Sequence, residues 1–198
     1  AEVTLRKPPP LDLPMRVEEA ADGVRVFDGT TLVAEGRPGS PDVEVPEPVT
    51  MDEADVARPR YTGYHRHAFP TCFVCGTDRE ADGLMIHAGK VPGREIWASP
   101  FRPDPSLPAA AGMLAPEIVW SALDCPGAWA VERATRDRPV VLGRMTAHLE
   151  RPAPADRSYV AAGWPLGEDG RKLFSGTALF DEDRVLYGWS RQIWFVLG

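Results

Sequence analysis

Residues 116–127 read PEIVWSALDCPG, and this stretch decides the predicted fold. Pro116 suits the first position of a helix, and Glu117 suits the positive amino end of the helix dipole. The pair Pro126-Gly127 is typical of a helix end, so the pattern predicts a helix from Pro116 to Cys125. One side of that helix is expected to be buried, because apolar residues recur there at helical spacing. They are Ile118, Val119, Ala122 and Leu123.

A sheet is predicted around this helix, since strand-like stretches precede and follow it. In MTAHLE, residues 145–150, every second residue is apolar, which is typical of a half-buried strand. The other predicted strands are 83–89, 94–103, 157–164, 171–181 and 184–197. The last of them has Val185, Tyr187, Trp189, Ile193, Phe195 and Leu197 on one face. A long antiparallel sheet wrapped around one central helix, an α+β architecture, accounts for this order of elements.

The chain divides into an extension, residues 1–69, and a main domain, residues 70–198. Residues 1–60 contain 9 prolines, 13 acidic residues and 7 basic residues. Proline-rich runs resist regular structure, so we expect only short strands there, and a brief helix capped by Thr50. The extension is expected to lie against the main domain.

Composition and charge exclude several classes of partner. The net charge is -7 and the Lys and Arg residues are scattered singly, so we expect neither nucleic acid nor a membrane surface as a partner. No apolar run approaches the roughly 20 residues that a bilayer span needs. The first residues contain no apolar signal core, and two of the three cysteines lie in one CFVC turn. A soluble, cytoplasmic protein with reduced thiols is therefore expected.

Several short motifs, together with the order of elements, resemble the hotdog fold. They are LERPAP at 149–154, GRK at 170–172 and ALFDEDRVLYGW at 178–189. The chain is most similar to acyl-CoA thioesterases of the phenylacetate-pathway and hydroxybenzoyl-CoA type, over residues 70–198. The upstream CFVCG and DGL resemble a Cys-rich entry turn of many relatives. The resemblance implies a homodimer or a dimer of dimers joined at sheet edges, with no cofactor other than the CoA of the substrate.

The resemblance also implies a catalytic position on the helix. In that family the central helix opens with His-Gly-Gly and carries a catalytic Asp or Glu about two turns later. Alignment on the acid places Asp124 at the catalytic position, whereas Ala115, Pro116 and Glu117 replace His-Gly-Gly. Because Pro116 has no N–H, only the N–H of Glu117 is left to polarise a thioester carbonyl. The chain is thus expected to hydrolyse an acyl-CoA or acyl-carrier thioester, or to be a non-catalytic acyl- or CoA-binding scaffold that has lost this oxyanion site.

Each candidate site residue also has a structural interpretation. Asp124 is either a general base or nucleophile, or a structural acid that caps a neighbouring loop or bonds backbone groups freed by Pro126. Glu117 either shares acid and base duties with Asp124 or only complements the helix dipole. A hotdog hydratase would need an Asp and a His acting together, and no such pair lies near residues 115–125. The residues expected to bind substrate are Trp120, Ser121, Arg144, Arg171 and Lys172, the last three being candidates for CoA phosphates or solvated surface charges.

Two histidines and two cysteines near residue 70 have the ligand types of a zinc site but not its usual spacing. His65, His67, Cys72 and Cys75 have ligand types that suit zinc, but all four lie within eleven residues, whereas structural zinc sites usually take two separated pairs. We therefore predict no metal, and packing of the thiols as small apolar groups. Cys125 has no histidine near it in sequence and is read as a buried thiol rather than a nucleophile.

Overall fold

A ten-stranded antiparallel sheet dominates the computed structural model, which describes residues 1–79, 82–132 and 138–198. Its strands are β1 (Glu2–Leu5), β2 (Arg16–Ala20), β3 (Gly23–Asp28), β4 (Thr31–Arg37), β5 (Gly89–Lys90), β6 (Trp97–Phe101), β9 (Val140–Leu149), β10 (Tyr159–Asp169), β11 (Lys172–Asp181) and β12 (Leu186–Val196). A separate hairpin comprises β7 (Ala109–Ala110) and β8 (Met113–Leu114). The helices are α1 (Met51–Ala57) and α2 (Pro116–Ala130), and short 3-10 turns follow α1 at Arg58–Arg60 and Thr62–Tyr64.

The predicted architecture, a long antiparallel sheet with one central helix, is confirmed. The main-domain strands lie in the order β9, β12, β11, β10, β6 and β5, and α2 packs against their inner face. Strands β10 and β12 are 11 residues long, about twice the usual length, as a sheet that curls around a helix requires. The predicted apolar stripe of α2 is buried, with Ala122 and Leu123 completely inaccessible to solvent.

Helix α2 continues through Pro126 and ends at Ala130, so the predicted end of this helix is wrong. Proline has no N–H for the preceding turn, and its ring pushes that turn open. Two side chains of the sheet bond the backbone at this point. Thr177 Oγ1 and Gln192 Nε2 each donate to the carbonyl oxygen of Leu123, both at 2.7 Å. Because these donors are 54 and 69 residues away in sequence, no local pattern indicates them.

Two glycines bring the last turns of α2 into contact with the sheet. A Cβ atom on Gly163 of β10 would overlap the carbonyl oxygen of Pro126. A Cβ atom on Gly127 would overlap the side-chain amide of Gln192. The backbone of α2 can therefore approach the strands at this end only because neither position carries a side chain.

The residues predicted to share one face of β12 lie on both faces, because a bulge interrupts the alternation. Leu186 lies opposite Phe180 and Gly188 opposite Leu179, so Tyr187 is an extra residue that forms a bulge. Beyond the bulge the inward and outward positions are exchanged relative to the predicted alternation. The buried side chains there are Ser190, Gln192, Trp194 and Val196, whereas Trp189, Ile193 and Phe195 are half-buried.

The first strands of the chain extend the same sheet. In the pairing of β1 with β9, Glu2 lies opposite Thr146 and Thr4 opposite Arg144. Strands β4, β3 and β2 follow outward in that order. As predicted, the strands of this region are short, and the proline-rich residues 38–50 form neither helix nor strand.

The predicted helix at Thr50 is confirmed as α1. Thr50 Oγ1 accepts the N–H of Glu53 at 3.2 Å, and the N–H of Thr50 donates to Glu53 Oε2 at 2.8 Å. This reciprocal pair satisfies two backbone donors that would otherwise be unpaired at the amino end. Helix α1 packs on β6 through Ala54 and Ala57, which are completely buried.

Most of the predicted strand at residues 83–89 is absent, and only Gly89–Lys90 pairs as β5. Met85 has a φ of 53°, which an extended strand excludes. The neighbouring backbone bonds to the CFVC turn instead of to the sheet. The N–H of Leu84 donates to Phe73 O at 2.8 Å, and the N–H of Ile86 donates to Val74 O at 2.9 Å.

Candidate active site

A cleft of about 1120 Å³ lies between the carboxyl half of α2, strands β9 and β12, and the loop of residues 66–75. Residues 4–9 of the extension form a further part of its wall. Apolar side chains line much of it, including Leu5, Phe69, Trp129, Val141, Leu142, Ile193 and Phe195. Ligand clefts commonly measure a few hundred to about 1,000 Å³, so this one has room for a large small-molecule ligand.

Asp124 lies on the wall of this cleft, in the third turn of α2. The residue is partly accessible, but its Oδ1 atom is buried and has no hydrogen-bond partner among the described residues. Burial raises the pKa of Asp124 to about 7, and negative charge on Cys72 adds to the rise. Burying a carboxyl oxygen without a hydrogen-bond partner lowers the stability of the folded state. Carboxyl groups with pKa values shifted by burial cluster at functional sites.

The backbone groups beside Pro126 are bonded by other residues than Asp124. Gln192 Nε2 donates to the carbonyl oxygens of Leu123 and Asp124, at 2.7 and 3.1 Å. Thr177 supplies the second bond to Leu123. The predicted alternative, in which the Asp124 side chain bonds these groups, is therefore wrong for its Oδ1 atom.

The residues predicted at the amino end of α2 lie away from Asp124. Glu117 is exposed and, of the residues described, is not among those that line the cleft. Its carbonyl oxygen accepts a bond from Ser121 Oγ at 2.8 Å, and Trp120 packs at the edge of the main core. Seven residues of helix separate the two acids by about 10 Å along the axis. The structure thus gives no support to the predicted sharing of acid and base duties, or to substrate binding by Trp120 and Ser121.

Of the three predicted basic residues, Arg144 and Lys172 line the cleft, and Arg171 is exposed outside the described lining. Arg144 Nε donates to Thr4 Oγ1 at 2.9 Å, and the guanidinium lies 3.6 Å from the Glu2 carboxylate. The guanidinium of Arg144 is therefore already bonded to side chains of β1. The other basic residues of the cleft were not predicted, because loop and extension residues reach it only through the fold. They are Arg6, Lys7, Arg66 and Arg138.

All three cysteines meet on the wall of the cleft. The sulfur atoms of Cys72, Cys75 and Cys125 lie within 4.8 Å of one another, and those of Cys72 and Cys125 are 3.6 Å apart. Hydrogen bonds from Cys125 and Cys75 lower the pKa of the Cys72 thiol. The same bond to Cys72 raises the pKa of Cys125, whose thiol is buried as predicted. The sequence motif contains Cys72 and Cys75 but not Cys125, which is 50 residues further along the chain than Cys75.

The two histidines of the predicted zinc spacing lie in different environments. His65 is exposed, whereas His67 lines the cleft with its Nε2 atom 3.4 Å from Cys75 Sγ and 3.1 Å from Cys75 O. Its Nδ1 atom accepts the N–H of Phe69 at 3.0 Å. An accepting Nδ1 implies that the neutral ring carries its proton on Nε2, which then donates toward Cys75.

Comparison with known proteins identifies the fold. The sequence matches no protein-family model and no curated protein. A thioesterase from Haemophilus influenzae is 17% identical, with a TM-score of 0.55 over 63% of this chain and 85% of that one. The PaaI protein of the E. coli phenylacetic acid degradation operon is 12% identical, with a TM-score of 0.54 over 76% and 97%. S. sahachiroi AziG is 15% identical, with a TM-score of 0.51 over 58% and 92%.

The chain therefore has the hotdog fold of thioesterase-like proteins, as the sequence motifs predict. At these identities the likeness concerns the fold, and the roles of the site residues have to be argued from this chain. Among the described residues, no helix is both long enough and apolar enough to cross a membrane.

Proposed function

We propose that this protein hydrolyses an acyl-CoA or acyl-carrier thioester in the cleft beside Asp124. The observation that carries the proposal is the buried, unpartnered Oδ1 atom of Asp124 on the wall of a large, mainly apolar cleft. An apolar cleft suits the acyl group, and a carboxylate kept away from water reacts more strongly than a solvated one. The fold, which a solved thioesterase shares, supports this activity.

Asp124 would act on the thioester carbonyl in one of two ways. As a general base it takes a proton from water while the water oxygen attacks the carbonyl carbon, and the C–S bond then breaks to release thiolate. As a nucleophile its oxygen attacks the carbonyl carbon directly, the C–S bond breaks to release thiolate, and water then hydrolyses the resulting anhydride to the free acid and the regenerated Asp124 carboxylate. Both routes need no metal or cofactor besides the thiol carrier of the substrate.

Basic residues at the cleft favour CoA as that carrier. Lys7, Lys172 and Arg144 line it together with Arg6, Arg66 and Arg138, against the acids Asp124 and Glu132. Lys7 and Lys172 are exposed, so their ammonium groups can meet phosphates at the rim of the cleft. This assignment makes Lys172 a substrate-binding residue, as predicted, and adds Lys7.

A second candidate is a non-catalytic acyl- or CoA-binding protein. The observation in its favour is that residues 115–117, where the family is understood to place its oxyanion donor, are absent from the described lining of the cleft. Pro116 has no N–H to offer there in any case. Hydrolysis needs a donor aimed at the developing oxyanion, whereas binding does not.

An assay of thiol release from short, long and aromatic acyl-CoAs distinguishes thioester hydrolysis from non-catalytic binding. We expect wild-type protein to release thiol from at least one of them, and Asp124→Asn to lower kcat/KM about 100-fold or more. Asp42→Asn is the matched control, because Asp42 is exposed and outside the cleft lining. Folded wild-type protein that binds CoA in calorimetry but releases no thiol from any substrate would instead establish the binding protein.

The homodimer and the cytoplasmic location stay predictions. Because β1 already pairs with β9, a dimer joined at sheet edges would have to use β2 or β5, the outer strands of the ten-stranded sheet. Light scattering of the purified chain measures the oligomeric state directly.

A further inference from the structure

We propose that Cys72, Cys75 and Cys125 bind one zinc ion through their three sulfur atoms. The three sulfurs come from two segments about fifty residues apart, the CFVC turn and α2, and lie within 4.8 Å of one another. Zinc bound to thiolates at about 2.3 Å holds their sulfurs about 3.8 Å apart, close to the 3.6 Å between Cys72 and Cys125. This inference is independent of thioester hydrolysis.

The CFVC turn has a backbone shape that suits a thiolate ligand. The N–H groups of Val74 and Cys75 are directed at the Cys72 sulfur. The N–H of Gly76 donates to Cys72 O at 2.8 Å and closes the turn. A Cβ atom on Gly76 would lie 2.5 Å from the carbonyl oxygens of Cys72 and Pro70, so only glycine fits there. Donors aimed at sulfur favour its charged form, which is the form that binds metal.

The turn is held in place before any ligand binds. Tyr61 Oη donates to Cys75 O at 2.7 Å, and the backbone of Leu84 and Ile86 bonds Phe73 and Val74. Trp129 adds an indole Nε1–H that lies beside Cys75 Sγ and that has no hydrogen-bond partner of normal geometry among the described residues. A thiolate at Cys75 would satisfy this buried donor better than a neutral thiol does.

His67 is assigned as a hydrogen-bond donor to Cys75 rather than as a fourth ligand. Its Nε2 atom is close enough to bind a metal, but the bond from the Phe69 N–H to Nδ1 keeps the proton on Nε2. A zinc-bound Nε2 would need that proton on Nδ1, where it would face the Phe69 N–H. All three cysteines line the cleft, so the fourth zinc position is assigned to water from the cleft.

Zinc at this position would tie the CFVC turn to α2 one residue beyond Asp124. Three thiolates in a partly apolar, partly enclosed site select a borderline-soft metal such as zinc over magnesium or calcium. Because the unfolded chain has no such site, zinc binding would also stabilise the fold.

Metal analysis of the full-length chain, expressed in zinc-supplemented medium, tests the proposal. We expect one zinc per chain by plasma mass spectrometry, and a loss of about tenfold or more in zinc content in Cys72→Ser, Cys75→Ser and Cys125→Ser. His65→Gln is the matched control and is expected to keep the metal, because His65 is exposed. His67→Gln tests the fourth position, and it should lose less zinc than the cysteine variants because His67 is assigned as a hydrogen-bond donor to Cys75 rather than as a ligand. Zinc loss in His67→Gln as complete as in the cysteine variants would contradict the assignment of water to the fourth position.

Wild-type protein gives a second test that does not depend on variants folding. Cobalt substituted for zinc should show sulfur-to-cobalt charge transfer in the near ultraviolet and tetrahedral bands in the visible spectrum. The three thiols should resist alkylation until a chelator removes the metal. A zinc content near zero with three freely alkylated thiols would overturn the proposal, and so would a Cys72–Cys125 disulfide in freshly purified protein or stoichiometric iron or copper in place of zinc.

Discussion

The two ends of α2 differ in how they are held. At the amino end, Pro116 and Glu117 are exposed, and no side chain of the described part of the chain caps the helix. At the carboxyl end, Thr177 and Gln192 bond the backbone, and glycines let the helix touch the sheet. The chemistry-bearing residues lie at this second end, within a cleft that does not include the first. Tertiary packing, more than local helix signals, therefore determines where this helix can support a reactive group.

The largest change in stability is expected from a substitution that prevents the close approach of the carboxyl end of α2 to strand β10. Gly163→Ala would place a Cβ atom against the carbonyl oxygen of Pro126, and because both groups belong to backbone, neither can move cheaply. We expect the free energy of unfolding to fall by about 3 kcal/mol in urea denaturation.

Gly36→Ala is the matched control for this substitution. Gly36 is also in a strand, but a Cβ atom there would meet its nearest neighbours at an ordinary 3.8 Å. Its cost should stay within about 0.5 kcal/mol. Equal costs for both variants would show that α2 does not press on β10 as described.

The next largest change in stability is expected from a substitution that removes the hydrogen bonds to the helix backbone beside Pro126. Gln192→Leu removes the Nε2 donor from Leu123 O and Asp124 O, and it removes the acceptor that Ser175 Oγ and Trp194 Nε1 share. We expect the free energy of unfolding to fall by about 2 kcal/mol, because buried polar groups lose their partners. Thermal unfolding followed by circular dichroism measures it, and an unchanged Tm would mean that these bonds do not hold the carboxyl end.

A smaller effect comes from α1, whose amino end carries the cap that α2 lacks. Thr50→Ala should lower the free energy of unfolding by about 1 kcal/mol. The N–H of Thr50, aided by its hydroxyl and by Arg94, lowers the pKa of Glu53 below the usual carboxyl value. Alanine at position 50 keeps the N–H but lacks the hydroxyl. The hydroxyl's contribution is present above the usual pKa and is lost as pH falls through the lowered one, so the difference between wild type and variant should shrink in acid. A difference that grows in acid would contradict this account of the cap.

The parts of the fold that depend on local pattern were predicted from the sequence. The start of α2, its buried stripe and strands β9 to β12 follow from helical and alternating spacing, and α1 follows from its capping residues. The predicted end of α2 was wrong because Thr177 and Gln192, on distant strands, bond the helix backbone beside Pro126 and offset the free-energy cost of a proline within the helix. The single face predicted for the apolar residues of β12 was wrong because the bulge at Tyr187 shifts the alternation. The predicted strand at 83–89 was mostly wrong because Leu84 and Ile86 bond to a turn rather than to a strand.

The candidate site was predicted in part for the same reason. Asp124 stands out in sequence as an acid in an apolar helix, and the structure places it on a cleft. The convergence of Cys125 with Cys72 and Cys75 depends on how α2 lies over the CFVC turn, which spacing within eleven residues does not reveal. Glu117 has good helix-end chemistry in sequence, but it lies at the solvent-facing end of α2.

The most direct test of the account compares one carboxylate from each end of α2. Thiol release from acyl-CoAs should fall about 100-fold or more in Asp124→Asn, while Glu117→Gln should keep kcat/KM within about twofold of wild type. That result would place the chemistry at the carboxyl end of the helix. Loss of activity in Glu117→Gln, with Asp124→Asn still active and both variants folded, would contradict the assignment and move the site to the amino end.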